Sequence, residues 1–406
     1  MTLPRLPRLP RLPKVLKSLK SLKSLRGALG LWVSMAKPLF SGLLIGVLWL
    51  GGCAGTRESV SEAVERTRVR VLFDPSAGKD ATKCSVRFTA LPRGLRTAVC
   101  FGWDVEGAEA LELAGLLEQY GWRGTLFFPY RLEGEEGAAV ADGILEVEAR
   151  GVEVGCRTLV EQTADIVRYA AEGKAFWDAF VGRPVVSFGA VGAEAWKDLD
   201  RLAGIGYLSV RSDNRVIVLG SSEKERPVMV YRSFSDHREE NQRPATKTQR
   251  HKENPEDGEG RLRVLVSSWR EDIAKRWTEV REQEGGMLYV GGRWRDSGAD
   301  ERPWEELESL LAEYGRMEDV WYCTQGEWAA YVSTRDTSHI VRLQGEENEL
   351  RLGIEAGRSV PRTWRPALTV EVRAHPSWVV MVLVEDQPVP FEARGERVLF
   401  NVETIR

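Results

Sequence analysis

A handful of residues in this chain have the type and position to do chemistry. Asp104 ends the apolar run Ala98-Val-Cys-Phe-Gly-Trp-Asp104; Glu153 lies in the short apolar run 152–155, and Arg157 and Glu161 follow that run. Paired carboxylates that flank a bond at suitable separation could do glycoside chemistry, so Asp104 with Glu161 or Glu153 is one candidate pair. Arg157 could instead pair with Glu161 as an internal ion pair. A third reading is a sugar-binding cleft with Arg157 as donor and Trp103 as stacking platform. Trp294, in Gly292-Arg-Trp-Arg-Asp296, is the best candidate for an exposed aromatic, whereas Trp177, Trp196, Trp277, Trp321 and Trp328 fall in strands or on apolar helix faces and are expected in the core. A catalytic zinc needs about three N, O or S ligands converging with one position open. No histidine occurs between Cys53 and Asp236. Arginine keeps its proton and cannot ligate. There is no phosphate-binding loop, no G-x-G-x-x-G, no nucleophile elbow and no C-x-x-C.

These residues need elements to hold them. Short apolar runs at 98–101, 124–128, 152–155, 185–188, 207–210, 287–290 and 319–323 read as buried strands. Helical patterns at 108–120, 138–149, 163–180, 194–203, 271–284, 304–314 and 327–332 separate most of them. Strand alternating with helix argues for a parallel sheet with helices outside, in a closed barrel or a doubly wound sheet. Either places functional groups at strand C-terminal ends. Residues 236–260 are almost devoid of apolar side chains and read as an exposed, disordered insertion. His237 and His251 fall in it and read as part of a solvated charge run. From about His339, alternating strands separated by Pro376, Pro388, Pro390 and Gly395 read as an antiparallel β domain over 336–406. Residues 53–96 read as a linker with short strands.

With 406 residues, 43% hydrophobic and 29% charged, the chain is globular in composition. Residues 1–52 hold nine bases and no acid, leaving 48 bases against 60 acids in 53–406, a net charge of −12. That balance argues against a nucleic-acid partner. Residues 1–34 are low complexity, with PRL and KSL each repeated. A signal reads from Met35: a base, an apolar run from Leu39 to Leu50 too short to span a bilayer, then Gly51-Gly52-Cys53. The small residues before Cys53 resemble the lipobox of bacterial lipoproteins. That resemblance implies lipidation of Cys53, an extracytoplasmic location in the bacterial envelope and a membrane partner reached through the lipid. Because the signal reads from Met35 alone, residues 1–34 are expected to derive from an upstream start codon. Cys84, Cys100, Cys156 and Cys323 would then permit disulfides. Buried thiols are the default reading, with a Cys100–Cys156 bridge as the alternative.

The segment 97–335 resembles the polysaccharide deacetylase (NodB-homology) family. Ala98–Asp104 sits where that family has a strand ending in T-F-D-D-G, and Gly121-Trp-Arg-Gly-Thr-Leu-Phe-Phe128 resembles its G-x-x-A-T-F-F. Gly151-Val-Glu-Val-Gly-Cys-Arg-Thr-Leu-Val-Glu161 resembles its G-H-E-I-G-N-H-T-x-x-H, and Ser187-Phe-Gly-Ala-Val-Gly192 takes the place of F-R-P-P-x-G. Val320-Trp-Tyr-Cys-Thr324, then Glu327 and Tyr331, resembles its V-W-x-x-T…E…Y close. The resemblance implies a distorted (β/α) barrel and metal-dependent removal of acetyl groups from polysaccharide. Yet the two Asp slots are Gly102 and Trp103, the two His slots are Arg157 and Glu161, and the Arg slot is Gly189. The reaction is therefore expected to be lost, with no catalytic residue, metal or cofactor. The favoured reading is a pseudoenzyme lipoprotein that binds polysaccharide or acts as an envelope scaffold, with Trp103, Asp104, Arg157, Glu161 and Trp294 as candidate binding residues. The alternative is an active carbohydrate hydrolase or deacetylase with a rearranged site. In a third reading the β domain contacts another envelope protein.

Overall fold

A computed structural model describes residues 66–403 except 78–82, 106–108, 131–142, 159–164, 191–196, 213–214, 220–227, 235–256, 295–303 and 358–359, with backbone alone at 215, 228–234, 257–269 and 293–294. Cys53 and the rest of 1–65 lie outside these residues, as does most of the expected insertion at 236–260. Two strands come first, β1 (Arg66–Phe73) and β2 (Ser85–Phe88). An alternating part follows. It runs β3 (Thr97–Asp104), α1 (Glu109–Tyr120), β4 (Gly124–Pro129), a helix over 143–149, β5 (Glu153–Arg157), α2 (Ile166–Val181), β6 (Ser187–Gly189), α3 (Leu199–Ile205) and β7 (Ser209–Ser212). It continues with β8 (Arg215–Val218), β9 (Val228–Phe234), α4 (Asp257–Glu282), β10 (Gly286–Trp294), α5 (Trp304–Tyr314), β11 (Val320–Cys323) and α6 (Gln325–Thr337). Seven strands close the chain: β12 (His339–Leu343), β13 (Glu349–Glu355), β14 (Ala367–Arg373), β15 (Val379–Val384), β16 (Gln387–Val389), β17 (Phe391–Arg394) and β18 (Arg397–Glu403).

The helices follow from spacing and caps. In α1, Ala110, Leu113, Ala114 and Leu117 are buried at i, i+3, i+4, i+7, and Gly121 at φ +71° ends the helix. Asp165 caps α2 by accepting the Arg168 N–H at 3.1 Å, and Gly182 at φ +77° closes it. Helix α4 begins at Asp257, inside the segment expected to be irregular. Among the described residues no helix is long and apolar enough to cross a membrane.

The sheet of the alternating part runs β8-β7-β6-β5-β4-β3-β10-β9, parallel throughout except at β7–β8. β3 pairs with β10 along its whole length, while its other edge is shared by β11 at 97–100 and β4 at 101–104. With β8 and β9 at its two ends, the sheet is a curled half-barrel. Alternation along each strand separates two faces. Val99, Phe101, Trp103, Leu126, Phe128, Val154, Cys156, Phe188 and Val210 join the helices in the outer core. Ala98, Cys100 and Tyr289 point the other way and pack on α6. That helix buries Trp328, Ala329, Ala330, Tyr331, Val332, Ser333 and Thr334, which is the signature of an interior helix. It fills the concave side of the sheet and reaches β14.

The remaining strands form two antiparallel sheets, β12-β13-β1-β15-β16 and β17-β18-β14-β2. Val69, Val71, Leu352 and Val382 of one face Val370, Val398 and Phe400 of the other in a common core. Here the structure redraws the expected organisation. β1 lies between β13 and β15, and β2 pairs with β14, so the short strands expected after the linker belong to the sandwich and complete it. Closing so long a loop costs little more than closing a short one, since the entropy grows only logarithmically with length.

Candidate functional site

The inner face of the half-barrel carries two polar tiers. In the tier beside α6, Glu153 Oε2 accepts hydrogen bonds from Thr125 Oγ1 and the Gly326 N–H, both at 2.8 Å. The Gln325 N–H donates to Thr125 Oγ1 at 2.8 Å, Gln325 Nε2 to Ser209 Oγ at 2.9 Å, and the Tyr289 hydroxyl to Gln325 Oε1 at 2.9 Å. A capping box between Thr324 and Glu327 fixes the start of α6, so its positive end faces the Glu153 carboxylate. Burial pushes Glu153 above the ordinary carboxylate range, and its hydrogen bonds oppose that shift.

Further along the strands, toward their C-terminal ends, stand Asp104 on β3, Phe127 on β4, Gly189 on β6 and Arg211 on β7, two residues beyond Gly102, Thr125, Ser187 and Ser209, and Arg157 on β5, four residues beyond Glu153. Arg211 Nη2 donates to Asp104 Oδ1, and Nη1 to the Gly102 carbonyl at 3.3 Å. The guanidinium lies over the Phe127 ring, 4.2 Å from its centroid. Gly189 is the register neighbour of Arg211. A Cβ there would stand 3.3 Å from Arg211 Nη2, 3.2 Å from Arg157 Cβ and 3.0 Å from the Phe127 ring, so glycine at 189 makes room for all three. Asp104, Arg157 and Arg211 are 5%, 4% and 3% exposed, so this tier is packed.

Asp104 and Arg157 both occupy the inner face at the strand ends. The partner of Asp104 is Arg211, which the sequence reading passed over. Trp103 is placed differently from its reading as a stacking platform. Strand parity turns it away from Asp104 into the outer core, fully buried, stacked on Phe101 at 5.2 Å and fitted against Gly292. Glu161, and with it the proposed Arg157–Glu161 pair, lies outside the described residues. Trp294 is the last residue of β10, opposite Phe234, and its side chain lies outside the described residues. Cys84, Cys100, Cys156 and Cys323 are free thiols. Cys100 faces α6 and Cys156 the outer helices, which separates the pair considered for a disulfide. Burial pushes the Cys156 thiol up to about 12.

A divalent ion bound as in the deacetylase family would need this tier to offer several anionic or neutral donors. Among the described residues it offers one carboxylate, already engaged by a guanidinium, with a second arginine alongside. Two fixed cations do not fit a dication. Among the described residues, no three His, Cys, Asp or Glu side chains are grouped to hold an ion.

No protein-family model matches the chain, and no curated protein matches it. Solved structures do. One, described as a polysaccharide deacetylase from Mycobacterium smegmatis, is 17% identical with a TM-score of 0.40, over 61% of this chain and 93% of the other. The polysaccharide deacetylase Bc1974 from Bacillus cereus is 12% identical with a TM-score of 0.33, over 57% and 91%. A mutant of BA3943, a CE4 family pseudoenzyme, is 12% identical with a TM-score of 0.32, over 59% and 68%.

Proposed function

We propose that this chain is a non-catalytic, polysaccharide deacetylase-like protein of the bacterial cell envelope, lipid-anchored at Cys53, whose half-barrel binds carbohydrate or serves as an envelope scaffold. The observation that carries this reading is the Arg211–Asp104 pair with Arg157 beside it. The carboxylate at the strand end is neutralised internally, and among the described residues nothing in the tier would lower the pKa of an attacking water in place of a metal. The burial of Trp103 and the close packing of this tier favour the scaffold over an open sugar cleft.

Purified chain incubated with Zn²⁺ or Co²⁺, desalted and analysed for metal is expected to retain less than one ion per chain. It is expected to release no acetate from acetylated chitooligosaccharide or acetylated xylan. Stoichiometric metal together with acetate release would replace this reading with that of an active deacetylase. Metabolic labelling with radioactive palmitate addresses the anchor: the intact chain should be labelled and sediment with membranes, and Cys53→Ser should not.

A further inference from the structure

The β sandwich carries a second surface with binding character, formed independently of the half-barrel. β14 runs out into Arg373-Ala-His-Pro-Ser-Trp378, whose last three residues make a short 3-10 turn before β15. Beside it lies the tight turn from β17 to β18, Arg394-Gly-Glu-Arg397, which Gly395 allows at φ +58°. Together they line an open basin of about 880 Å³. The Trp378 indole is 38% exposed, with the His375 ring 5.8 Å away. His375 is itself held by Ser377 Oγ at 2.6 Å.

Three arginines rim the basin, with side chains 60% exposed at Arg373, 42% at Arg397 and 36% at Arg394. All three are held from one side. Arg373 Nε and Arg397 Nη1 donate to Glu371 at 3.2 and 3.3 Å, and Glu371 is 1% exposed beneath them. Arg394 donates to Glu392 and to the Gly94 carbonyl. Glu371 also takes Arg87, whose second partner is Glu284, so each arginine has a carboxylate on its inner side, while the lining of the basin itself presents three arginines and one acid, Glu396.

Fixed arginine forks match carboxylates bidentately, and an exposed indole offers a face to a sugar ring. A neutral sugar would bring no anion to the exposed sides of the three arginines. A lipid bilayer would meet the exposed Val380 and Met381 just beyond Trp378, but the arginines lie around a concavity that a flat surface does not enter. We infer that this basin binds a carboxylate-bearing polysaccharide, with a uronic acid ring on Trp378 and its carboxylates on Arg373 and Arg397. The site does not depend on the reading of the half-barrel and stands or falls without it.

Titration calorimetry on the full chain tests it, with galacturonic acid hexamer as probe. The hexamer should bind saturably. Affinity should fall about tenfold or more on methyl esterification of the hexamer, in Trp378→Ala and in the double variant Arg373→Gln/Arg397→Gln. Arg394→Gln leaves the Glu371 cluster intact and should still weaken binding measurably, and thermal melts of each variant report whether it is folded. Absence of saturable binding would overturn the inference, as would equal affinity for the methyl ester, unchanged affinity in folded Trp378→Ala, or binding confined to phosphatidylglycerol vesicles.

Discussion

Asp104 and Arg211 are each 5% exposed or less, so removing either leaves the other charge buried without its counter-ion. Breaking a buried pair in this way costs about 3–5 kcal/mol, whereas replacing both members by apolar groups is often close to neutral. Asp104→Leu and Arg211→Met should each lose about that much stability in denaturant melts, and the double variant Asp104→Leu/Arg211→Met far less than the sum. Additive losses would mean that the two do not act as a pair. Glu153 gives a pH signature. Its folded pKa is raised by burial, so its protonated form favours the fold, and its contribution falls as pH climbs from the ordinary carboxylate range through the raised value. Glu153→Gln keeps a carbonyl acceptor and never ionises. Its stability relative to the natural chain should therefore improve from acid to neutral pH, and a constant difference would show that Glu153 does not titrate in the fold. Part of this site was legible in the sequence. The short runs before Asp104 and Arg157 marked them as strand-end residues. The face of Trp103 was not legible, because all eight residues of β3 are buried and their hydropathy carries no alternation. Arg211 was missed because its partner lies 107 positions away and nothing local marks it.

Elements were easier to read than their partners. The apolar alternation of Val69, Val71 and Phe73 makes β1 a strand by pattern alone, and Leu368 to Arg373 does the same for β14. Which strands pair is settled by long-range packing, so the sequence reading found the short strands of β1 and β2 but grouped them with the linker, apart from a β domain over 336–406. The register says otherwise. β1 supplies the strand between β13 and β15, and without it both would expose unpaired backbone and the apolar residues that face Val71. Residues 336–406 produced alone should show no cooperative thermal transition and poor dispersion of amide resonances. Fusing residues 64–96 to their N-terminus through a flexible linker should restore both. A folded 336–406 fragment would mean that β13 and β15 can close on each other in the absence of β1.

At the scale of the whole molecule, the two parts carry opposite responses to acid. In the sandwich, Glu349 and Glu371 have side chains 5% and 1% exposed, and desolvation alone would raise both. Arginines outweigh it: Arg70 and Arg351 on Glu349, and Arg87, Arg373 and Arg397 on Glu371, hold both below the usual range. A carboxylate with a lowered folded pKa contributes stability that is complete above its unfolded pKa and is lost as pH falls toward the folded value. Glu153, inside the half-barrel, gains from protonation instead. Acidification should therefore loosen the sandwich before the half-barrel. Hydrogen exchange measured stepwise below neutral pH should show amides of β1, β13 and β14 losing protection while those of β3, β4 and β5 keep it. Glu371→Gln should be less stable at neutral pH, because three guanidiniums lose their shared anion, and should lose less stability on acidification than the natural chain. The asymmetry follows from where the arginines went. In the sandwich they surround carboxylates near the surface, and in the half-barrel they stand one tier above Glu153, which hydrogen-bonds to a threonine and a helix N-terminus instead. Simultaneous loss of protection in both parts at every pH would mean that the shared contacts of α6 with the sheet and with β14 bind them into one cooperative unit, whatever their separate titrations.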